Sequence, residues 1–344
     1  MRAFSRCVVA VLAVIGVSSA IWAQETVTIA SWGGAFQAAQ RQAMFEPSAK
    51  MLGITIKEDT LNGYGDVKTQ VLAKAVKWDI AELGLQSCAQ GTIDGVFEPL
   101  DYGVITADGI TPKLVKPHWI GIIFYSNVIA WNTRTYGEKG PQSWKDFWDV
   151  KKFPGKRSLY HRPTETLEAA LMADGVEPDK LYPLDVERGF RKLEELRPHI
   201  AVWWTSGAQA AQLLKDGEVD MIGIWNGRAS TVIKDGAKAA FTYNQGIMNA
   251  DCLTVPKGAK NKTGAMKVIN ALVSPEIQAA LPKLIDYGPV NSRAFTIGKL
   301  TSTEMDRINS SPKNAATQAV MDVEWWSTRL NQLLERMDAF KAKK

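Results

Sequence analysis

The sequence predicts an α/β protein of two lobes with a ligand cleft between them. Three observations lead there. Short apolar strands alternate with helix-compatible stretches, the rhythm of a mostly parallel sheet with helices on both faces. The rhythm occurs as two sets, with no repeat, low-complexity segment or Pro- or Ser-rich linker between them. Several strands also end in aromatic, glycine or charged residues, and strand carboxyl ends are where open α/β sheets bind ligands.

Taken in order, Val27-Thr28-Ile29-Ala30-Ser31 alternates as a strand and ends in Trp32-Gly33-Gly34, a turn that brings backbone N–H groups or an indole to a ligand. A helix is expected from about Ala35 to Met51, then a strand over 53–57, a helix over Asp66 to Val76, and a strand over Trp78 to Ala81. Glu82 ends that strand, so it is a site candidate. Ile122 to Tyr125 and Val128 to Asn132 read as paired strands, with Ser126-Asn127 at the bend. In the second set, Ser143 is placed to cap a helix beginning at Trp144. A strand follows at 158–160, then helices over Thr164 to Ala173 and Pro183 to Arg197, and a strand at Ile200 to Trp204. Ser206 precedes a helix over Ala208 to Asp216, and either caps it or forms an anion-binding turn. The acidic turn Gly217-Glu218 then leads through an apolar strand into Trp225-Asn226-Gly227-Arg228, which sets an indole and a cation at a strand's end. The pairs Trp203-Trp204 and Trp325-Trp326 are expected mainly in packing, because adjacent residues face different ways.

With 344 residues the chain has room for two ordinary domains, and 46% hydrophobic with 22% charged residues is a globular composition. The formal charge of +5 includes Arg2 and Arg6, which precede an apolar run, then small residues and Ala23, with cleavage expected after Ala23 and Ala20 as the alternative. That pattern reads as a cleavable export signal, residues 1–23, and predicts an exported, periplasmic chain. Basic and acidic residues are interspersed, which excludes a nucleic-acid surface. Cys88 and Cys252 would then meet an oxidising compartment, where they either pair or remain separate.

The order and spacing of Ser31-Trp32-Gly33-Gly34, Trp78-Asp79-Ile80, Ile129-Ala130-Trp131-Asn132-Thr133, Gln142-Ser143-Trp144-Lys145-Asp146-Phe147-Trp148, Trp225-Asn226-Gly227 and Asp251-Cys252-Leu253-Thr254-Val255-Pro256 carry a family likeness. From about Val27 onward the chain resembles the periplasmic solute-binding proteins of ABC importers, in particular the spermidine/putrescine-binding branch. The resemblance implies the class II two-lobed binding-protein fold, with residues 24–131 and 252–300 in lobe one and 132–251 and 301–344 in lobe two. It implies crossings near Trp131-Asn132, Asp251-Cys252 and residue 300, and hinge closure on a small solute. It also implies partner permease and ATPase subunits, a monomer, and no cofactor.

By the same resemblance, Trp32 and Trp225 are wall aromatics, Tyr287 is a cleft tyrosine, and Glu165 and Asp251 are amine-binding carboxylates. An ammonium on a π face gains about 0.5–2 kcal/mol, and once desolvated it needs a carboxylate. The departures are informative. Gly34 replaces an acidic residue, Arg162 stands at the place of a second carboxylate, Asn249 replaces an aromatic, and Gly84-Leu85-Gln86 replaces Ser/Tyr contacts. Arg228 adds a further cation. Arginine forks match carboxylate or phosphate, so the ligand expected is an amine that also carries a carboxylate, such as an amino-acid derivative or an opine-like compound. Arg162 has a second reading, a structural ion pair with Glu165.

An exported enzyme using the cleft is the rival class. No Gly-x-Ser-x-Gly elbow is present, and the three histidines lack metal-ligand spacing. Neither Tyr243 nor Tyr287 has the adjacent tyrosine that an iron-binding relative would want. No metal is expected.

Overall fold

The structure, a computed structural model, describes residues 24–342; the expected export signal, residues 1–23, lies outside the described residues. In chain order the main strands are β1 (Thr26–Ser31), β2 (Thr55–Thr60), β3 (Ile80–Gly84), β4 (Trp119–Asn132), β5 (Arg157–Tyr160), β6 (Ile200–Trp204), β7 (Met221–Trp225) and β8 (Ala239–Thr254). They lie in one 11-stranded sheet along the path β2-β1-β3-β8-β4-β7-β5-β6. Each end of the path is a parallel trio, as the alternating rhythm predicts.

The middle corrects the mostly parallel expectation. There β3–β8, β8–β4 and β4–β7 are all antiparallel, because the two long strands run between the trios in opposite directions. The bend expected at Ser126-Asn127 is also absent, and β4 passes straight through as one strand. Buried polar side chains satisfy this stretch in place of a turn. Ser126 N donates to Asn226 Oδ1 at 2.9 Å, Asn309 Nδ2 donates to Ser126 Oγ at 3.0 Å, and Asn127 Nδ2 donates to Glu165 Oε2 at 2.9 Å. A register shift between Asn127 and Ile129 is the only mark left by the apolar-polar break.

Helices follow the strands as expected, with shifted ends. The first runs Gly34–Gln40, continues through a π-helical stretch Arg41–Phe45 and closes at Leu52 before Gly53. The second starts after Gly63, at Tyr64, and stops at Leu72. Ser143 and Ser206 cap their helices by accepting from Asp146 N and Gln209 N. Asn226 to Arg228, read in the sequence as flexible, forms the first turn of a helix spanning Asn226–Lys234.

Packing divides the molecule. Buried apolar residues from 27–125 and 250–290 make one core, and two further cores draw on 128–247 and 319–340. Core membership changes between Tyr125 and Val128 on β4 and between Ile247 and Ala250 on β8, a few residues before the expected crossings. Trp131, Trp144, Trp204 and Trp326 are among the largest fully buried side chains, which puts one member of each tryptophan pair in packing.

Cys88, on the helix Leu85–Ile93, is disulfide-bonded to Cys252 on β8 across a sequence separation of 164. This resolves the open question of their pairing. A bridge closing so long a loop removes much unfolded-state entropy, so Cys88→Ala/Cys252→Ala should lose about 2–4 kcal/mol in denaturant unfolding.

Candidate functional site

The carboxyl ends of β1, β3, β5 and β7 each run into a helix or turn facing the same space between the cores. A cavity lies there, lined from both sides of the space between the cores. Trp32, Arg162, Glu165, Trp225, Arg228, Asp251 and Tyr287, all singled out in the sequence, lie on its wall. The structure adds Phe36, Gly84, Gln86, Ser87, Ile123, Tyr125 and Tyr160.

The aromatic residues form two interlocked groups. Trp225 meets Tyr160 edge-on at 5.4 Å, Tyr125 at 5.9 Å and Trp204 at 5.0 Å, while Tyr160 stacks on Trp204 at 4.4 Å. Trp204 therefore backs the wall without reaching the cavity. On the opposite side Phe36 and Tyr287 meet edge-on at 5.2 Å. Such contacts fix ring planes, so the aromatic surface is set before a guest arrives.

Glu165 is 1% exposed, and its Oε2 accepts from Asn127 Nδ2 at 2.9 Å and Trp225 Nε1 at 3.0 Å. Burial pushes its carboxyl up to about 7, against the partial compensation of those donors. Its backbone is held at φ 69°, a conformation that non-glycine residues seldom adopt, where it caps the helix Thr166–Ala173. Asp251 is buried too, and desolvation and then the nearby Glu82 carboxylate raise it well above the usual range. The Trp32 indole N–H is close enough to favour the charged form of Asp251, yet it makes no aligned hydrogen bond. Neither carboxylate has a cation within ion-pair distance among the described residues.

The two arginines complement this. Arg228 is 3% exposed, and its Nη2 donates to Gly33 O at 3.1 Å and to Trp32 O at 3.4 Å. Its Nε is buried with no partner, and its guanidinium lies 5.8 Å from the Phe36 ring centre. Arg162 does not pair with Glu165. It donates to Asn62 O at 3.3 Å and to His161 Nε2 at 3.4 Å. His161 can accept because burial and the neighbouring Arg162 charge push it down to about 4, which leaves it neutral at ordinary pH.

The remaining candidates lie off the wall, each for a local reason. Glu82 sits deeper, where its Oε2 accepts from Ser31 Oγ at 2.8 Å and Gln40 Nε2 at 2.8 Å. Burial pushes its carboxyl up to about 7, and its Oε1 has no partner. Asn249 is a layer behind, donating to Gln86 Oε1 at 3.1 Å and Tyr125 Oη at 2.9 Å, so it positions two wall residues. Ser206 is exposed and spent on its cap. Gly33 and Gly34 serve through their backbone: Gly33 supplies the carbonyl that holds Arg228, and a Cβ on Gly34 would stand 2.8 Å from Arg228 Nη1.

Tyr160 ends β5, so strand-end position could have flagged it, whereas Phe36 left no distinguishing signal in Gly33-Gly34-Ala35-Phe36-Gln37. Gln86 and Gly84 were visible only as departures from a likeness.

The chain matches the family of bacterial extracellular solute-binding proteins over residues 43–312. It is 34% identical to the gamma-aminobutyric acid-binding protein of Pseudomonas aeruginosa over 342 residues, 96% of each chain. It is 28% identical to the spermidine/putrescine-binding periplasmic protein of Escherichia coli over 242 residues, 67% of each. Among solved structures it resembles the PBP MotA from A. tumefaciens B6 in complex with glucopine, with TM-score 0.89 and 39% identity over 92% of this chain and 99% of that one.

Gly34 combines φ 61° with this close approach, so Gly34→Ala strains the backbone and displaces Arg228. The substitution should cost about 1–3 kcal/mol of stability. It should also weaken ligand binding by more than a wall substitution of similar size, read by calorimetric titration.

Proposed function

The chain belongs to the bacterial extracellular solute-binding proteins and is the substrate-binding component of an ABC transporter, not an enzyme. From that premise we propose that its guest is a zwitterion, an amine that also carries a carboxylate. Such proteins bind a small ligand and work with a permease and an ATPase. In our reading this chain does so in the periplasm, as a monomer freed of residues 1–23, with lobes 24–131 plus 252–300 and 132–251 plus 301–344 closing on the guest.

One observation carries the proposal. A single cavity holds two buried carboxylates, Glu165 and Asp251, and a buried guanidinium, Arg228, none of them in ion-pair contact with an opposite charge among the described residues, although Arg228 acts on Asp251 at longer range. A desolvated charge of either sign is costly until it is paired. A plain diamine would neutralise Glu165 and Asp251 and leave Arg228 worse off. A zwitterion relieves both, with its ammonium toward Glu165 and Asp251 and its carboxylate toward Arg228 and Arg162. The intervening methylenes would lie against Trp32, Trp225 and Tyr287. The gamma-aminobutyric acid-binding relative supports this reading, because its named ligand carries both groups.

A thermal-shift and calorimetry panel of γ-aminobutyric acid, α-amino acids, opines, putrescine and spermidine tests it. Zwitterions should give the tightest binding, and a panel in which only the polyamines bind would overturn the reading. Arg228→Gln should cost carboxylate-bearing ligands about 2–5 kcal/mol while leaving the weak binding of putrescine unchanged or improved.

The pH dependence has a definite sign. In the empty cavity Glu165 is raised to about 7, so below that pH it holds a proton that an incoming ammonium must displace. Binding therefore releases a proton and weakens as pH falls from 8 to 5.5. Calorimetry in buffers of different ionisation enthalpy reads the released proton directly, and Glu165→Gln should abolish that part of the release.

A further inference from the structure

Outside the cavity, one buried carboxylate gathers contacts from both sides of the cleft. Asp286 is 2% exposed and lies between Ile285 and Tyr287, both members of the first core. Its Oδ1 accepts from Lys234 Nζ at 2.7 Å and lies 3.5 Å from Arg307 Nε. Its backbone carbonyl accepts from Asn226 Nδ2 at 2.6 Å. Asn226 and Lys234 are the first and last residues of one helix, whose Ala229 and Val232 belong to a core across the cleft. Asp286 thus holds both ends of that helix, one through its main chain and one through its side chain. Between the two tethers the helix carries Arg228 and Gly227. A Cβ on Gly227 would stand 2.5 Å from Tyr287 Cζ, so the tyrosine ring beside Asp286 lies directly on the helix backbone.

We propose that Asp286 is a positioning residue that latches the Asn226–Lys234 helix to the opposite lobe, and so holds Arg228 and Trp225 at the cavity in the closed arrangement. The tether through Asn226 is neutral and short. The tether through Lys234 is ionic, and the lysine side chain is 40% exposed, so water and salt reach it when the lobes part. The closed state therefore has a salt-sensitive component that does not depend on any guest, nor on the identity of the guest proposed above.

Small-angle X-ray scattering of the ligand-free, full-length mature protein tests this. The wild type should be more compact at low ionic strength than in about 1 M salt, where the screening length falls to about 3 Å. Lys234→Met should raise the low-salt radius of gyration toward the high-salt value and weaken its salt dependence, the Arg307 pair supplying the remainder, whereas Lys234→Arg should behave as the wild type. Asp286→Asn, which loses both the Lys234 and the Arg307 pairs, should open at least as far as Lys234→Met, and adding Lys234→Met to it should open it no further. Because Lys234 is partly exposed, its variants keep the test valid if the buried Asp286→Asn fails to fold. Equal low-salt scattering of wild type and Lys234→Met would overturn the proposal, as would Lys234→Arg opening as far as Lys234→Met.

Discussion

The site depends on ionisable groups taken out of water and left without an ion-pair partner among the described residues. Burying Glu165, Asp251 and Arg228 is costly on any scale, and their surroundings compensate only in part. Two N–H donors meet one oxygen of Glu165, two main-chain carbonyls meet one nitrogen of Arg228, and the Trp32 indole faces Asp251 without an aligned bond. These are positioning contacts, strong enough to orient each group and too few to neutralise it.

The rest of the molecule holds those groups in place. The strands ending at Tyr160 and Trp225 lead into Glu165 and Arg228, whereas Asp251 stands within β8. The antiparallel pair β4–β8 joins the two parallel trios into one sheet, and the cores change along it. Its crossing segment carries Ser126 and Asn127, whose polar groups bond residues from distant parts of the chain. One of these is Glu165 itself, so the segment where the cores change shares a hydrogen bond with a carboxylate of the cavity wall.

Seven of the residues picked from the sequence lie on the cavity wall, and the reasons differ. Trp225 and Trp32 were visible because they end strands, a local feature. Glu165, Asp251 and Tyr287 rested on a family likeness, and Arg162 and Arg228 on departures from it. Glu82 shows the limit of strand-end logic: it is on the right strand, but its side chain turns into the interior toward Ser31 and Gln40. Ser206 and Asn249 have local partners that no spacing reveals. Tyr160 and Phe36 were missed because their importance lies in ring contacts with residues far away in sequence.

By itself the sequence determined the α/β rhythm, the caps at Ser143 and Ser206 and the placement of an indole and a cation after the seventh strand, because each follows from neighbours a few residues apart. Only the tertiary structure decided that β4 runs straight through Ser126-Asn127, that Cys88 and Cys252 join, and that Arg162 turns away from Glu165. It also decided that Arg228 is buried with a free Nε and that Asp286 holds one helix at both ends. The physical reason is the same in each case. The deciding partner is brought close by sheet pairing and burial, and desolvation rather than residue type sets how much that partner matters.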